Sequence, residues 1–224
     1  MSALLYLCLH LRDFPAQALV RLRPELRERA VAVLDGVPPL ETVFALNERA
    51  RKLGLESGMT RLQAESFGSA TVLARGKPQE DSAFSILLQC AERFSPRIEV
   101  LAAPGERASG ATLVLDVSAS ERLLGAPQQI AAALQRNVQA AGFEPSLATS
   151  RNAPTAVLAA RGLSGIRVVP PGEEARVLAP LALSVLQLEP EQEGTFASWG
   201  IRTLGALAAL PQKALIAQIG RAHV

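Results

Sequence analysis

The sequence predicts an α+β fold built on a ferredoxin-like sheet. Three observations carry this. Ala3–Leu11 is a short run that is apolar at alternate positions on both sides, with Leu5, Leu7 and Leu9 against Tyr6 and Cys8, and it stops at Arg12-Asp13. That pattern belongs to a central, buried strand. From residue 70 onward the patterning runs strand, helix, strand, strand, helix, strand, the order that lays helices on one face of an antiparallel sheet. The region from Arg12 to Gly58 then stands between the first strand and the rest as a small inserted subdomain.

The elements follow in order. Pro15–Leu26 fits a helical stretch broken near Pro24. Ala30–Leu34 is a compact strand closed by the turn signal Asp35-Gly36, and Leu40–Leu46 is a candidate strand after it. Asn47–Leu53 reads as a helix with Gly54 as its C-cap, and Thr60–Glu65 as a further short helical stretch. Ala70–Leu73 is a short strand. The helix from Gln79 to Phe94 repeats Phe84, Leu87, Leu88 and Ala91 at the spacing of one buried face. Arg97–Leu101 and Thr112–Val117 are paired strands around a loop, Ala102–Gly110, rich in Gly, Ala and Pro. Pro127–Ala141 is an amphipathic helix, Ser146–Ser150 a strand and Ala153–Arg161 an Ala-rich helix. Pro170-Pro171-Gly172 breaks the chain, and Leu178–Leu215 reads as short helices.

Composition narrows the class. Hydrophobic residues make up 49% of the 224 and charged residues 20%, enough for a packed core and against disorder. A net charge of +2 neither demands nor excludes nucleic acid, because clustering on one face decides. Lysine occurs only at Lys52, Lys77 and Lys213; the arginine bias suits bidentate phosphate contacts and equally fits a GC-rich genome. Two cysteines, Cys8 and Cys90, without a CxxC spacing argue against a disulfide framework or zinc site. The apolar start is too short to span a bilayer and lacks a basic n-region and cleavage site, so a cytoplasmic protein with no membrane partner is expected. No Ser/His/Asp triad, phosphate loop or HExxH is present, and Gly76–Asp81 lacks the glycine spacing of a phosphate loop.

Four stretches carry a family resemblance in collinear order: Arg49–Met59 (RARKLGLESGM), Phe94–Leu101 (FSPRIEVL), Leu113–Gly125 (LVLDVSASERLLG) and Trp199–Pro211 (WGIRTLGALAALP). They resemble the fingers motif, two palm stretches and a thumb segment of the Y-family (UmuC/DinB-like) DNA polymerases, especially their noncatalytic ImuB-type members. The resemblance implies a ferredoxin-like polymerase palm at residues 1–12 and 66–165, a fingers subdomain at 13–65 and a partial helical thumb with a helix-hairpin-helix remnant at 166–224.

The same resemblance implies where a two-magnesium site would stand. Two such ions about 3.5–4 Å apart need carboxylates converging from neighbouring strands. The first positions fall on Cys8 and His10, the second on about Pro104 and Gly105, and none is acidic. Asp13 and Glu106 are the nearest acids; Asp116 matches a position that is not a ligand. Cys8 and His10 share one side of their strand and read as a packed neutral pair. Glu48 stands where a triphosphate-binding Tyr is expected, and the lysine expected after the Ala-rich helix has no counterpart beyond Arg161 and Arg167. Arg51 keeps its place, either as a phosphate ligand or as a solvated helix residue. Phe14 and Trp199 read as core rather than as steric gate or base-stacking platform. The thumb turn Gln187–Glu193 carries three acids and a proline where phosphate would be met.

The expectation drawn from this is a noncatalytic homologue, not an enzyme and without cofactor or metal, that scaffolds damage-induced translesion synthesis. Its nucleic-acid contacts would be Arg51, Lys52 and Arg202. Its partners would be DNA, a RecA-like accessory protein, an error-prone replicative-type DNA polymerase and, through a missing C-terminal region, the sliding clamp. An active, divergent lesion-bypass polymerase is the alternative, and an unrelated α/β regulatory protein a third. The tail Ile219–Val224 matches a translated sequencing adapter, so a truncated end is expected and His223 is given no role.

Overall fold

Apolarity on both sides does place the first strand at the middle of the main sheet. The structure, a computed structural model, describes residues 4–102 and 109–211. Strand β1 (Tyr6–Leu11) pairs antiparallel on both edges, Leu9 facing Leu113 on one side and Leu147 on the other. Helix α1 (Phe14–Val20) and a single 3-10 turn (Pro24–Leu26) lead into β2 (Ala30–Asp35), β3 (Thr42–Leu46), α2 (Glu48–Leu53), α3 (Arg61–Glu65) and β4 (Ala70–Ala74). Then come α4 (Lys77–Glu92), β5 (Ile98–Ala102), β6 (Ala111–Asp116), α5 (Glu121–Leu124), α6 (Pro127–Ala140), β7 (Ser146–Ser150) and α7 (Ala153–Gly162). Strand β8 (Ile166–Val168), α8 (Glu174–Leu178), a second 3-10 turn (Leu183–Leu186), α9 (Pro190–Ser198) and α10 (Leu204–Ala208) end the described chain.

The main sheet runs β5-β6-β1-β7-β8. Within it β1, α4, β5, β6, α6 and β7 give the ferredoxin-like order that the patterning anticipates. Two details differ. Strand β4 does not open this sheet: it pairs parallel with β2, Ala30 opposite Ala70, in a separate three-stranded sheet β3-β2-β4. The central place it would need is already filled by β1, whose residues from Leu7 to Leu11 are all buried while every residue of β4 keeps some exposure. Strand β8 adds a parallel edge beside β7, and three residues are too few to leave a periodicity signal.

Helices cover both faces of the main sheet rather than one. Leu5, just before β1, and Leu7, Leu9 and Leu11 within it pack with Leu87 of α4 and Ile130 and Leu134 of α6. On the other face Cys8 and Ala148 pack under Ala156, Ala159 and Ala160 of α7. The alanine-rich composition of α7 is what lets its backbone lie close to the sheet. Among the described residues no helix is long and apolar enough to cross a membrane.

The small sheet is braced locally. Asn47 caps α2, its Oδ1 accepting from Ala50 N at 2.9 Å and from Val31 N at 3.0 Å, and Gly54 ends the helix at φ 99°. Buried Arg75 donates to Glu80 and to Asp35, each at 2.7 Å, and lies 4.1 Å from the Phe44 ring centroid, tying this sheet to α4.

Candidate functional site

Where β1 ends, the chain turns sharply. Asp13 has φ 51°, a left-handed conformation that Asp tolerates better than most residues, and α1 starts directly after it. This turn leaves His10, Arg12 and Asp13 on the wall of a cavity of about 430 Å³. The inserted unit contributes Arg51 and Ser57, and the end of α7 contributes Arg161 and Gly162. Ser109 and Gly110 before β6, and Ala182, Ser184, Val185 and Gln187 beyond α8, complete the lining.

Asp13 is held on three sides. Its Oδ2 accepts from Arg51 Nη2 at 2.5 Å and lies 3.5 Å from Arg12 Nε, and its Oδ1 accepts from Leu46 N at 3.4 Å. Burial raises the carboxyl pKa above its ordinary value, with Arg51 and Arg12 pulling the other way. His10 is buried, with Nδ1 3.0 Å from Thr112 Oγ1 on the facing strand. Burial lowers its pKa to about 4, and the positive charge of Arg161 acts in the same direction. The ring is therefore neutral at pH 7.

Arg161 donates from Nη1 to the Val185 carbonyl at 3.3 Å. Its Nε, like Nη1 of Arg51, is buried with no acceptor among the described residues. Burial lowers the Arg161 pKa, yet a guanidinium keeps its proton in proteins. Three guanidinium groups thus face one carboxylate and a neutral imidazole. The cavity carries net positive charge and unmet N–H donors, which is the chemistry of an anion site.

The residues expected from sequence divide three ways. His10 and Arg51 line this cavity, and Arg51 is half-buried in an ion pair rather than a solvated helix residue. Cys8 does not reach it: the residue is 0% exposed beneath α7, and burial pushes its thiol up to about 12. Lys52 and Arg202 are exposed and lie outside the lining. Pro104 and Gly105 lie outside the described residues. Sequence reasoning missed Thr112, and it named Arg161 only as falling short of an expected lysine. Thr112 meets His10 only through the β1–β6 register, which no local pattern encodes. Arg161 did leave a signal, a charged side chain closing an otherwise apolar, alanine-rich helix.

The impB/mucB/samB family pattern matches residues 9–161. The chain belongs to that family. It is 30% identical over 207 residues to DNA polymerase IV of Dehalococcoides mccartyi (strain CBDB1), covering 88% of this chain and 50% of that protein. It is 26% identical over 173 residues to Protein ImuB of Caulobacter vibrioides (strain NA1000 / CB15N), covering 77% of this chain and 36% of the relative. Thus the chain spans about half the length of the DNA polymerase IV relatives it matches. In fold it resembles the insertion ternary complex of Dbh DNA polymerase, with TM-score 0.76 and 18% identity over 95% of this chain and 62% of that one. DinB from Sulfolobus solfataricus is similar too, with TM-score 0.75 and 19% identity over 98% of this chain and 64% of that one.

These relatives correct the expectation that an impB/mucB/samB member with this sequence is not an enzyme. The matches to proteins named DNA polymerase IV are longer and higher in identity than the match to ImuB, and they point to an enzyme.

The magnesium pair of the family's polymerases does not fit the described residues. Magnesium takes hard oxygen donors. Here Cys8 is sealed as a thiol, His10 offers nitrogen and is hydrogen-bonded to Thr112, and Asp13 is engaged by two arginines. Among the described residues no group of three or more His, Cys, Asp or Glu could hold a metal ion.

Proposed function

We propose that the chain is the palm-and-fingers half of a lesion-bypass DNA polymerase and works on primer–template DNA. The main sheet serves as palm, the small sheet as fingers and the segment after β8 as the start of a thumb. The observation that carries this reading is the positively charged cavity where β1, the inserted unit and α7 meet, in a chain of this family. Phosphates are the ligands such a wall selects: each unmet guanidinium N–H gains a charge-assisted hydrogen bond from a phosphate oxygen. The Asp13–Arg51 pair joins the turn after β1 to α2, so it fixes the fingers arginine against the palm. Neutral His10 adds no charge of its own and keeps the wall's sign set by arginine.

Joining a nucleotide to a primer end also requires acidic ligands that the described residues do not bring together. Glu106, outside the described residues, is the next acid after Asp13 to consider. The ImuB-type resemblance extends the reading to protein partners: an error-prone replicative-type polymerase, a RecA-like protein and the sliding clamp. Co-purification with the full-length protein tests each, and an interaction absent in both directions removes that partner.

Primer extension is the direct test of the activity. The full-length protein is given magnesium, nucleotides and a primer–template with an abasic site. Insertion opposite the lesion is expected, falling about tenfold or more in Arg51→Ala through loss of a charge-assisted contact. No incorporation on damaged or undamaged template overturns the reading.

A further inference from the structure

We infer that Arg75 is a positioning residue, the group that fixes where the inserted sheet stands on the palm through a two-pronged bond to Glu80 of α4. One planar guanidinium meets all three strands of that sheet and the palm helix together. Its Nε donates to Glu80 Oε1 at 2.7 Å and its Nη2 to Glu80 Oε2 at 2.8 Å. Its Nη1 donates to Asp35 Oδ2, at the end of β2, at 2.7 Å. The guanidinium carbon stands 4.1 Å from the centroid of the Phe44 ring on β3. Arg75 itself follows β4 directly, and its backbone N donates to Leu34 O at 2.9 Å. The side chains of Arg75 and Glu80 are 4% and 2% exposed, so water and salt screen the pair little. A fork of this kind fixes orientation as well as distance.

The surrounding backbone builds the fork. Strands β2 and β3 slip register between Val33 and Leu34: Val33 faces Ala45 and Leu34 faces Val43, which leaves Phe44 as the extra residue of a bulge. Bulges re-aim a side chain, and this one brings the ring to the guanidinium. Glu80 N donates to Gly76 O at 3.0 Å in the first turn of α4, where a carboxylate also meets the positive end of the helix. The Asp13–Arg51 pair is a second tie between inserted unit and palm, but it lies on the cavity wall, where a bound anion competes for it. Arg75 and Glu80 line no part of that cavity, so their bond stays made whatever the cavity holds. Replacing a buried ion pair by apolar residues of similar size is often neutral in stability, so the fork contributes geometry more than strength.

The inference rests on the lesion-bypass reading only for its kinetic readout. Spin labels are placed on the full chain at Ser69→Cys, just before β4, and at Gln139→Cys on α6, both exposed positions. Half-buried Cys90 is replaced by serine, and Cys8 is buried. Double electron–electron resonance then measures the spacing of inserted unit and palm. Arg75→Met alone leaves Glu80 as a buried, unpaired charge and is expected to lower Tm by roughly 10 °C. Adding Glu80→Leu is expected to bring Tm back to within about 4 °C of wild type. In that double variant the distance distribution is expected to stay broadened or displaced. Its kcat/KM for nucleotide in primer extension is expected to fall about tenfold or more, since small misplacements of reacting groups are costly. Arg75→Lys keeps the charge and loses the fork; it is expected to displace the distances too, and it carries the test if the double variant does not fold. Absence of primer extension in wild type removes the lesion-bypass reading, while the distances still decide this one. Wild-type distances in the double variant with recovered Tm or in folded Arg75→Lys overturn the inference, as does wild-type kcat/KM beside displaced distances.

Discussion

His10 concentrates the electrostatic argument in one side chain. Its folded pKa of about 4 lies below the ordinary imidazole value of 6.5, because burial and Arg161 both oppose a proton on the ring. The unfolded chain takes up that proton as pH falls through about 6.5, and the folded chain refuses it until about 4. Stability from this group is therefore whole above the upper value and is lost as pH falls across the window, by about 3 kcal/mol at most. Urea unfolding of wild type and His10→Gln between pH 7 and pH 4 measures it: the wild-type slope is expected to flatten in the variant, and parallel curves would remove His10 as its source. The identity of this residue was legible in the sequence, since it breaks an apolar strand. Its packed, neutral state was read there too; the partners around it, Thr112 and Arg161, were not, because they are 102 and 151 positions away in sequence (112 − 10 and 161 − 10).

Helix α2 is short, and its placement depends on its cap more than on its length. Asn47 serves three backbone groups: Oδ1 accepts from Ala50 N and Val31 N, and Nδ2 donates to Arg29 O at 2.7 Å. Asn47→Ala is expected to cost about 1–2 kcal/mol in thermal or urea unfolding. Because α2 carries Arg51, phosphate affinity should fall as well; unchanged affinity in the destabilised variant would show that Arg51 is positioned by Asp13 alone. Elements of this kind were readable from local signals. Asn47 and Gly54 mark both ends of α2, and Thr60 with Gln63 marks the start of α3. Strand β4 was readable as a strand but not as a member of the small sheet, since its partner β2 is chosen by which sheet has an open edge. Strand β8 is too short to announce itself at all.

For the whole molecule, the ferredoxin-like order survives because β1 is apolar on both faces and can be buried on both. That burial aims the end of β1 at the inserted unit, and the turn at Asp13 converts the junction into a charged cavity. The sequence carried the family through four separated motifs, and it carried the loss of acidic residues along β1. It did not carry the cavity, because Arg161 approaches the end of β1 only after α7 packs over Cys8. Sequence reasoning went from missing carboxylates to a protein that is not an enzyme, and the DNA polymerase IV relatives overturn that step. What the geometry adds is a place for phosphate. A crystal structure of the full chain with primer–template DNA and a nucleotide tests that place most directly. A phosphate oxygen is expected within hydrogen-bond distance of Arg51 Nη1 and Arg161 Nε, and nucleic acid bound elsewhere, with no phosphate in the cavity, would contradict it.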